Sequence, residues 1–203
     1  MWYNHRQQDM DQIRGFVAIE LNDEIKVKLG ETQALLKRKG IVDQMRWVRP
    51  EAMHITLKFL GDVPVDSIKE IVVAIKQASE GIGPFSLSFG GLGCFPSVSR
   101  PNVIWIGMWG DTKTLAQLQG GIEDSFAVLG FPPEKRKYTP HLTLGRVRRH
   151  IERRERGRLG GLVQTENIDK LGEFEVHEVS LMKSVLSAAG AKHSRLAVVR
   201  LEG

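Results

Sequence analysis

The sequence predicts an α+β protein built from a duplicated strand-helix-strand unit folded about a pseudo-twofold cleft, and three observations predict it. His54-Ile55-Thr56-Leu57 returns as His141-Leu142-Thr143-Leu144, and nothing else in the chain is repeated so closely. The interval from Phe16 to His54 equals that from Val103 to His141, 38 residues in each, and both read as strand, helix, then a strand carrying His-x-Thr. Around each motif, in Met53 to Phe59 and His141 to Val147, apolar and polar residues alternate at the period of a strand.

Each element has its own signal. Gly15 to Leu21 is a short apolar run rich in branched and aromatic residues, hence a buried strand. Asn22 is placed to cap the helix that follows, with Asp23 and Glu24 at its positive end, Ile25, Leu29, Thr32 and Leu36 on one face, and Lys37 to Gly40 at its close. Met45 to Val48 is a short strand halted by Pro50. After the His54 strand, Gly61-Asp62 turns the chain into a helix opened by Pro64 and buried through Ile68, Ile71, Val72 and Ile75. It stops by Gly81 to Pro84.

Phe85 to Phe89 alternates as a strand, and Gly90 to Pro96 reads as a glycine-rich exit from it, an ordinary loop or bulge. A phosphate-binding loop is disfavoured there, because no Lys-Ser/Thr follows and no helix opens. Val103 to Met108 is another buried strand, and Asp111 begins a helix carrying Leu115, Leu118, Ile122, Phe126 and Leu129. Gly120-Gly121 inside it marks a close crossing or a kink. The run Arg148, Arg149, Arg153, Arg154, Arg156 and Arg158 is either a solvated face or flexible loop, or a phosphate-binding surface. Glu173 to Ser184 and Leu196 to Leu201 read as a closing hairpin with Ser187 to Ser194 as its loop.

With 203 residues, 41% of them hydrophobic, the chain has material for one sizeable core or two small lobes. No apolar run approaches the roughly 20 residues that span a bilayer. Met1 to Asp11 is polar and lacks the features of a signal peptide, so a tail is expected there, residues 12–203 are expected to form one domain, and a cytoplasmic monomer is expected. The single cysteine, Cys94, excludes an internal disulfide and suits a structural place at a strand end better than nucleophilic chemistry. A net charge of +5 and a pI near 9.4 fit a polyanionic partner.

In a strand, residues two apart share a face, so each motif offers an imidazole beside a hydroxyl. Two imidazoles facing one pocket divide the labour of a phosphoester displacement, His54 and His141 exchanging protons while Thr56 and Thr143 donate to the phosphate oxygens. Arg146 lies on the opposite face of a perfect strand and joins them only if a bulge or twist intervenes at Gly145. A metal site ranks low: neither motif has a carboxylate, Cys or third His at ligand spacing. His5, His150, His177 and His193 read as tail, charge run, strand and loop, and His193 alone is placed to line a site, although simple exposure is the more economical reading.

At these residues the sequence resembles the two-histidine phosphoesterases, in particular the RNA 2′,3′-cyclic phosphodiesterase branch, whose older label is 2′-5′ RNA ligase. The resemblance rests on Phe16 to Leu21, His54 to Gly61, Val103 to Gly107, Tyr138 to Arg146 and the ending Glu178 to Leu201. It implies a bilobal fold with antiparallel sheets lining a central cleft and helices outside. It also implies opening of a terminal ribose 2′,3′-cyclic phosphate to a 2′-phosphate, with no cofactor or metal. By the resemblance His54 protonates the departing 3′ oxygen, His141 activates water, and Thr56, Thr143 and Arg146 hold the phosphate. The implied partners are RNA ends or nucleotides bearing a 2′,3′-cyclic phosphate. An aromatic of the first strand often stacks on the base in this family; the matching position is Val17, with Phe16 one step away and expected in the core. Tyr138 or a last-loop residue is then expected to serve, with Arg153 and Arg154 as further RNA contacts. The rival readings are 2′-5′ ligation by the reverse displacement and an inactive nucleotide- or RNA-binding module.

Overall fold

The structure, a computed structural model, describes residues 12–41, 43–187 and 190–203; the expected tail, 1–11, lies outside them. Its elements are β1 (Gln12–Glu20), α1 (Asp23–Arg38), β2 (Met45–Trp47), β3 (His54–Pro64), α2 (Ile68–Ser79), β4 (Phe85–Phe95), β5 (Val103–Gly110), α3 (Thr112–Val128), β6 (Leu142–Val147), α4 (Arg153–Thr165), β7 (Gly172–Val176), β8 (Glu178–Ser187) and β9 (Gly190–Arg200). They form a four-stranded sheet ordered β3-β1-β8-β9 and a five-stranded sheet ordered β2-β6-β5-β4-β7, with every pairing antiparallel. The α+β fold of two antiparallel sheets expected from the sequence is the fold observed.

The duplication holds down to the hydrogen-bond register. In the first unit Ala18 faces Thr56 and Val17 faces Lys58, leaving Leu57 as the extra residue of a bulge. In the second, Trp105 faces Thr143 and Ile104 faces Gly145, leaving Leu144 as the extra residue at the equivalent place. Ile55 to Leu60 and Leu142 to Val147 consequently share one order of burial, in which only the fifth residue, Phe59 or Arg146, is exposed. Apart from β2, the two sheets have the same order, each His-x-Thr strand lying beside the first strand of its own unit.

Helix and strand are crossed between the units. Buried Gln33 of α1 donates through Nε2 to the carbonyls of Val48 (2.7 Å) and Leu144 (2.9 Å), the latter being the bulge carbonyl of the second unit. The Val48 amide donates to the same Leu144 oxygen, so the carbonyl that leaves the ladder is doubly satisfied. In the other direction Lys58, beside the first bulge and 5% exposed, donates to Glu123 of α3 at 2.6 Å and to the Pro132 carbonyl at 3.1 Å. Each bulge is thus braced by a helix of the opposite unit. One contiguous apolar cluster, including Ile19, Ile55, Leu57, Ile106, Leu142 and Leu144, lies beneath both motif strands. Each of these side chains contributes about 1.5–3 kcal/mol by its burial.

Local signals account for several boundaries. Asn22 Oδ1 accepts from the Ile25 amide at 3.0 Å, so the predicted N-cap forms, and Asp111, expected to begin its helix, caps it with Oδ1 accepting from the Thr114 amide at 3.1 Å. The glycine pair in α3 marks a close crossing: a Cβ on Gly121 would stand 3.0 Å from the Ala78 carbonyl of α2. Leu129 falls at the end of α3 and is exposed, contrary to the apolar face drawn through it.

Other elements differ from the sequence reading. Gly61-Asp62 does not turn into a helix, because Gln12 to Gly15 pair with Gly61 to Pro64 and keep the strand going; Gly61, at φ +74, accommodates the shift. Gly90 to Phe95 likewise does not leave the strand but stays in β4, around a bulge at Gly91, φ +64, which is one of the two forms expected of these glycines. Glu173 to Ser184 is two strands in different sheets, broken at His177, since β7 pairs with β4 and β8 with β1. The expected loop Ser187 to Ser194 is mostly β9, with residues 188 and 189 outside the description. The arginine run contains a helix, α4, whose buried residues are only Leu159, Gly160 and Val163, too few for a clear helical periodicity in sequence.

Candidate active site

The imidazoles of His54 and His141 are oriented identically. His54 Nδ1 lies 2.9 Å from the Ala52 carbonyl and His141 Nδ1 2.7 Å from the Thr139 carbonyl, in each case the residue two before the histidine. A carbonyl only accepts, so Nδ1 carries the hydrogen in both rings and each neutral imidazole leaves Nε2 as its basic atom. Thr56 and Thr143 follow on the same strand faces, each partly buried, and neither hydroxyl is engaged by another described residue.

The bulge at Leu144 answers the question raised by Arg146. Leu144 and Gly145 are both buried, so the alternation slips by one and Arg146 emerges on the face of His141 and Thr143. The slip lies one residue earlier than the Gly145 position named from the sequence. Its guanidinium is close enough to help hold the His141 pKa below the ordinary value, behind burial as the main cause and against the Thr139 carbonyl bond. His54 is more strongly affected: burial pushes its pKa down to about 4, the Ala52 carbonyl opposes this, the His193 charge lowers it further and the Glu20 charge raises it. Positive charge therefore acts on both rings, from His193 at His54 and from Arg146 at His141, and only His54 has a carboxylate, Glu20, acting against it.

Glu20, not singled out in the sequence, is the β1 residue directly facing His54. It accepts from Ser180 Oγ and Arg195 Nε, both at 2.6 Å, and Arg195 also reaches Glu178 at 3.2 Å. Burial raises the Glu20 pKa, but the bonds from Arg195 and Ser180 outweigh it and keep the carboxylate below its ordinary value. His193 is no loop histidine. It pairs with Ser184 in the β8–β9 ladder, and its ring stands edge-on to His54 at 5.2 Å and to Phe16 at 5.0 Å. Burial, with the Arg49 charge behind it, lowers its pKa. Only the long-range register brings this side chain to the site.

Phe16 and Val17 exchange the places expected of them. Val17 belongs to the main core beneath the sheet, whereas Phe16 joins Ala18 and Met182 in a separate small cluster on the opposite face, with its ring 4.6 Å from that of His54. On the other side Phe95 stands edge-on to His141 at 4.9 Å, with Trp105 behind at 6.3 Å. Gly93 makes room for this wall, since a Cβ there would overlap the Trp105 indole. Cys94 is half-buried near the end of β4 and burial pushes its thiol pKa up, the wrong direction for a nucleophile.

Tyr138 is a brace. Its ring packs against the core, its hydroxyl donates to the Thr56 carbonyl at 3.2 Å, and burial pushes its pKa far up. The segment leading into His141 is thereby tied to the strand of His54, and little of the ring is left to stack on a base. Arg153 and Arg154 stand exposed on the first turn of α4. Arg156 does not join them: its guanidinium is spent on five acceptors, Ile151 O, Pro101 O, Asn102 Oδ1, Arg148 O and Arg149 O. Those bonds fasten the loop after Phe95 to the segment after β6. His150 and His177 are exposed, and His5 lies outside the described residues. Among the described residues no three His, Cys, Asp or Glu are grouped to hold a metal ion, and no helix is long and apolar enough to cross a membrane.

Comparison with known proteins identifies the family and the fold. The LigT-like phosphoesterase family matches residues 19–105 and 110–192. The chain is 35% identical over 191 residues to an RNA 2′,3′-cyclic phosphodiesterase of Methanothermobacter thermautotrophicus, covering 94% of this chain and 100% of that one. It is 32% identical to the protein of that name from Archaeoglobus fulgidus, covering 92% and 99%. In fold it is similar to E. coli LigT complexed with 3′-AMP, with a TM-score of 0.74 at 23% identity, covering 95% of this chain and 99% of the other. With a match over most of its length and a duplicated His-x-Thr register to go with it, the chain belongs to the LigT-like phosphoesterase family.

Proposed function

We propose that this protein hydrolyses the terminal 2′,3′-cyclic phosphate of RNA to a 2′-phosphate, by proton transfer between His54 and His141 and without a metal ion. The observation that carries this reading is the duplicated site itself, two strands in the same register presenting two Nε2 atoms, two unengaged threonine hydroxyls and one guanidinium. Two relatives that match over more than nine-tenths of the chain bear the name RNA 2′,3′-cyclic phosphodiesterase.

Water attacks phosphorus and gives its proton to Nε2 of His141 as the new P–O bond forms. The P–O3′ bond breaks, and the departing oxygen takes the proton of His54 Nε2, leaving a 3′-hydroxyl and a 2′-phosphate. Thr56, Thr143 and Arg146 donate to the nonbridging oxygens, where charge accumulates. Glu20 favours a proton on His54, against the larger opposing effects of burial and the His193 charge, and Arg146 disfavours one on His141. A bound phosphate supplies the further negative charge that an imidazolium at the buried His54 requires. Arg153 and Arg154 add contacts to the backbone of a longer RNA.

The test is incubation of an RNA ending in a 2′,3′-cyclic phosphate, in excess chelator, followed by identification of the phosphate position. A 2′-phosphate product is expected. A 3′-phosphate, or turnover restored only by a divalent metal, overturns the mechanism. Adding an RNA with a 5′-hydroxyl tests ligation in the same reaction, where a 2′-5′ joined product would favour that activity.

A further inference from the structure

Strand β2 is the element that breaks the likeness of the two sheets. It lies at the edge of the five-stranded sheet, outside β6, whereas no described strand lies outside β3 in the other sheet. Its middle residue, Arg46, pairs directly with Arg146. Met45 and Trp47, on either side of it, pack into the core with Leu144 and Val147. Arg46 therefore turns to the opposite face, which is that of Arg146, Thr143 and His141.

The pair is of like charge. Side chains directly opposed on neighbouring strands stand within reach of one another, and equal charges there destabilise the sheet. Both arginines are exposed, and among the described residues neither guanidinium has an ion pair or hydrogen bond that relieves the repulsion. Protection of an open sheet edge does not explain the choice, because a charge of either sign guards an edge and a carboxylate at position 46 would have paired with Arg146. Bound anions turn the repulsion into attraction.

The two guanidinia do not reach the same place. Arg146 is close enough for its charge to act on the His141 ring, which puts it at the reacting phosphate. Arg46 stands one strand farther out, about 4.8 Å by the spacing of neighbouring strands, and faces what lies beyond that phosphate. An RNA end carries its next anion one nucleoside away, at the phosphodiester on the 5′ oxygen. A cyclic mononucleotide with a free 5′-hydroxyl has no such group.

We propose that Arg46 holds the phosphate on the 5′ oxygen of the terminal nucleotide, so that Arg146 and Arg46 clasp consecutive phosphates of an RNA end. The proposal rests on the phosphodiesterase reading above. It makes a chain end a better substrate than a cyclic mononucleotide, whatever the base.

The experiment compares wild type, Arg46→Gln and Arg46→Lys on adenosine 2′,3′-cyclic phosphate bearing either a 5′-hydroxyl or a 5′-methylphosphate, which reproduces the diester without a second nucleoside. The ratio of kcat/KM for the methylphosphate to that for the hydroxyl should fall about 10-fold in Arg46→Gln, through KM, as expected for loss of one charge-assisted hydrogen bond, and recover in part in Arg46→Lys. Calorimetry at fixed salt makes the same comparison in binding, with adenosine 2′,5′-bisphosphate against adenosine 2′-phosphate, and the advantage of the bisphosphate should shrink by a similar factor. Unchanged ratios, or equal losses on both members of each pair, overturn the assignment, the second because it moves Arg46 to the reacting phosphate or to the framework. Absence of turnover by wild type on both cyclic phosphates instead refutes the hydrolytic reading. The binding arm, which needs no chemistry, then still decides whether Arg46 holds a 5′-phosphate.

Discussion

Protonation of His54 should be costly in the free protein, and the cost should appear in both stability and catalysis. Burial brings its pKa from the ordinary 6.5 to about 4. At about 1.4 kcal/mol per unit this corresponds to about 3 kcal/mol. The sign follows from which state binds the proton first. As pH falls, the unfolded chain takes up a proton at this residue near 6.5 and the folded chain only near 4. Stability from this group is therefore unaffected above 6.5, declines between 6.5 and 4, and is lower by the full amount below that window. Urea unfolding of wild type and His54→Gln from pH 7 to pH 4 should show wild type losing about 3 kcal/mol more than the variant. Nitrogen-15 NMR of the ring should show Nδ1 protonated at neutral pH and a midpoint near 4.

The catalytic consequence has the same origin. With a pKa of about 4, only about one free molecule in 10³ carries a proton on His54 at pH 7, so kcat/KM should rise about tenfold per unit as pH falls below 7, until His141 begins to take up a proton and the rise stops. His141 must stay neutral as base, and protonation of that ring sets the acid limb. The optimum of kcat/KM is thereby moved to the acid side of 6.5. Superimposable stability curves for the two proteins, or a His54 midpoint at 6 or above, would refute the reasoning.

Glu20→Gln should depress the His54 midpoint further, because it removes the one nearby carboxylate that favours the imidazolium; NMR titration reads it directly. Thr56→Ala or Thr143→Ala should slow turnover by at most about 10²-fold, and by less than His54→Ala or His141→Ala, as measured by initial rates with the fold checked by circular dichroism. Lys58→Ala leaves Glu123 without its buried partner and should cost about 3–5 kcal/mol in urea unfolding, whereas the double change Lys58→Met with Glu123→Leu should recover much of it. Arg153→Ala with Arg154→Ala should flatten the salt dependence of binding to long RNA and leave that of a cyclic mononucleotide nearly unchanged. Arg156→Ala, by contrast, should lower thermal stability, since five acceptors lose their donor.

Legible along the chain were the duplicated unit, the strand placement of both His-x-Thr motifs, the cap at Asn22, the helix start at Asp111 and, at Gly120-Gly121, a close crossing or a kink, of which the structure shows the crossing. These are local or periodic signals: spacing, alternation and a polar residue ahead of an apolar run depend on neighbours along the chain. Arg146 was within reach only because a bulge could be posited, and its location at Leu144 depends on pairing with β5, which no local pattern encodes. The remaining features depend on which strands become neighbours. Glu20, Phe16 and His193 come to His54 from β1 and β9, through registers set by which strands become neighbours. Phe16 and Val17 lie on the opposite faces from those the sequence suggests because five successive buried residues, Gly15 to Ile19, carry no alternation that would distinguish them. Arg156 shows the same limit from the other side: in sequence it is one of a run of like charges, and only the carbonyls that fold around its guanidinium distinguish it from Arg153 and Arg154.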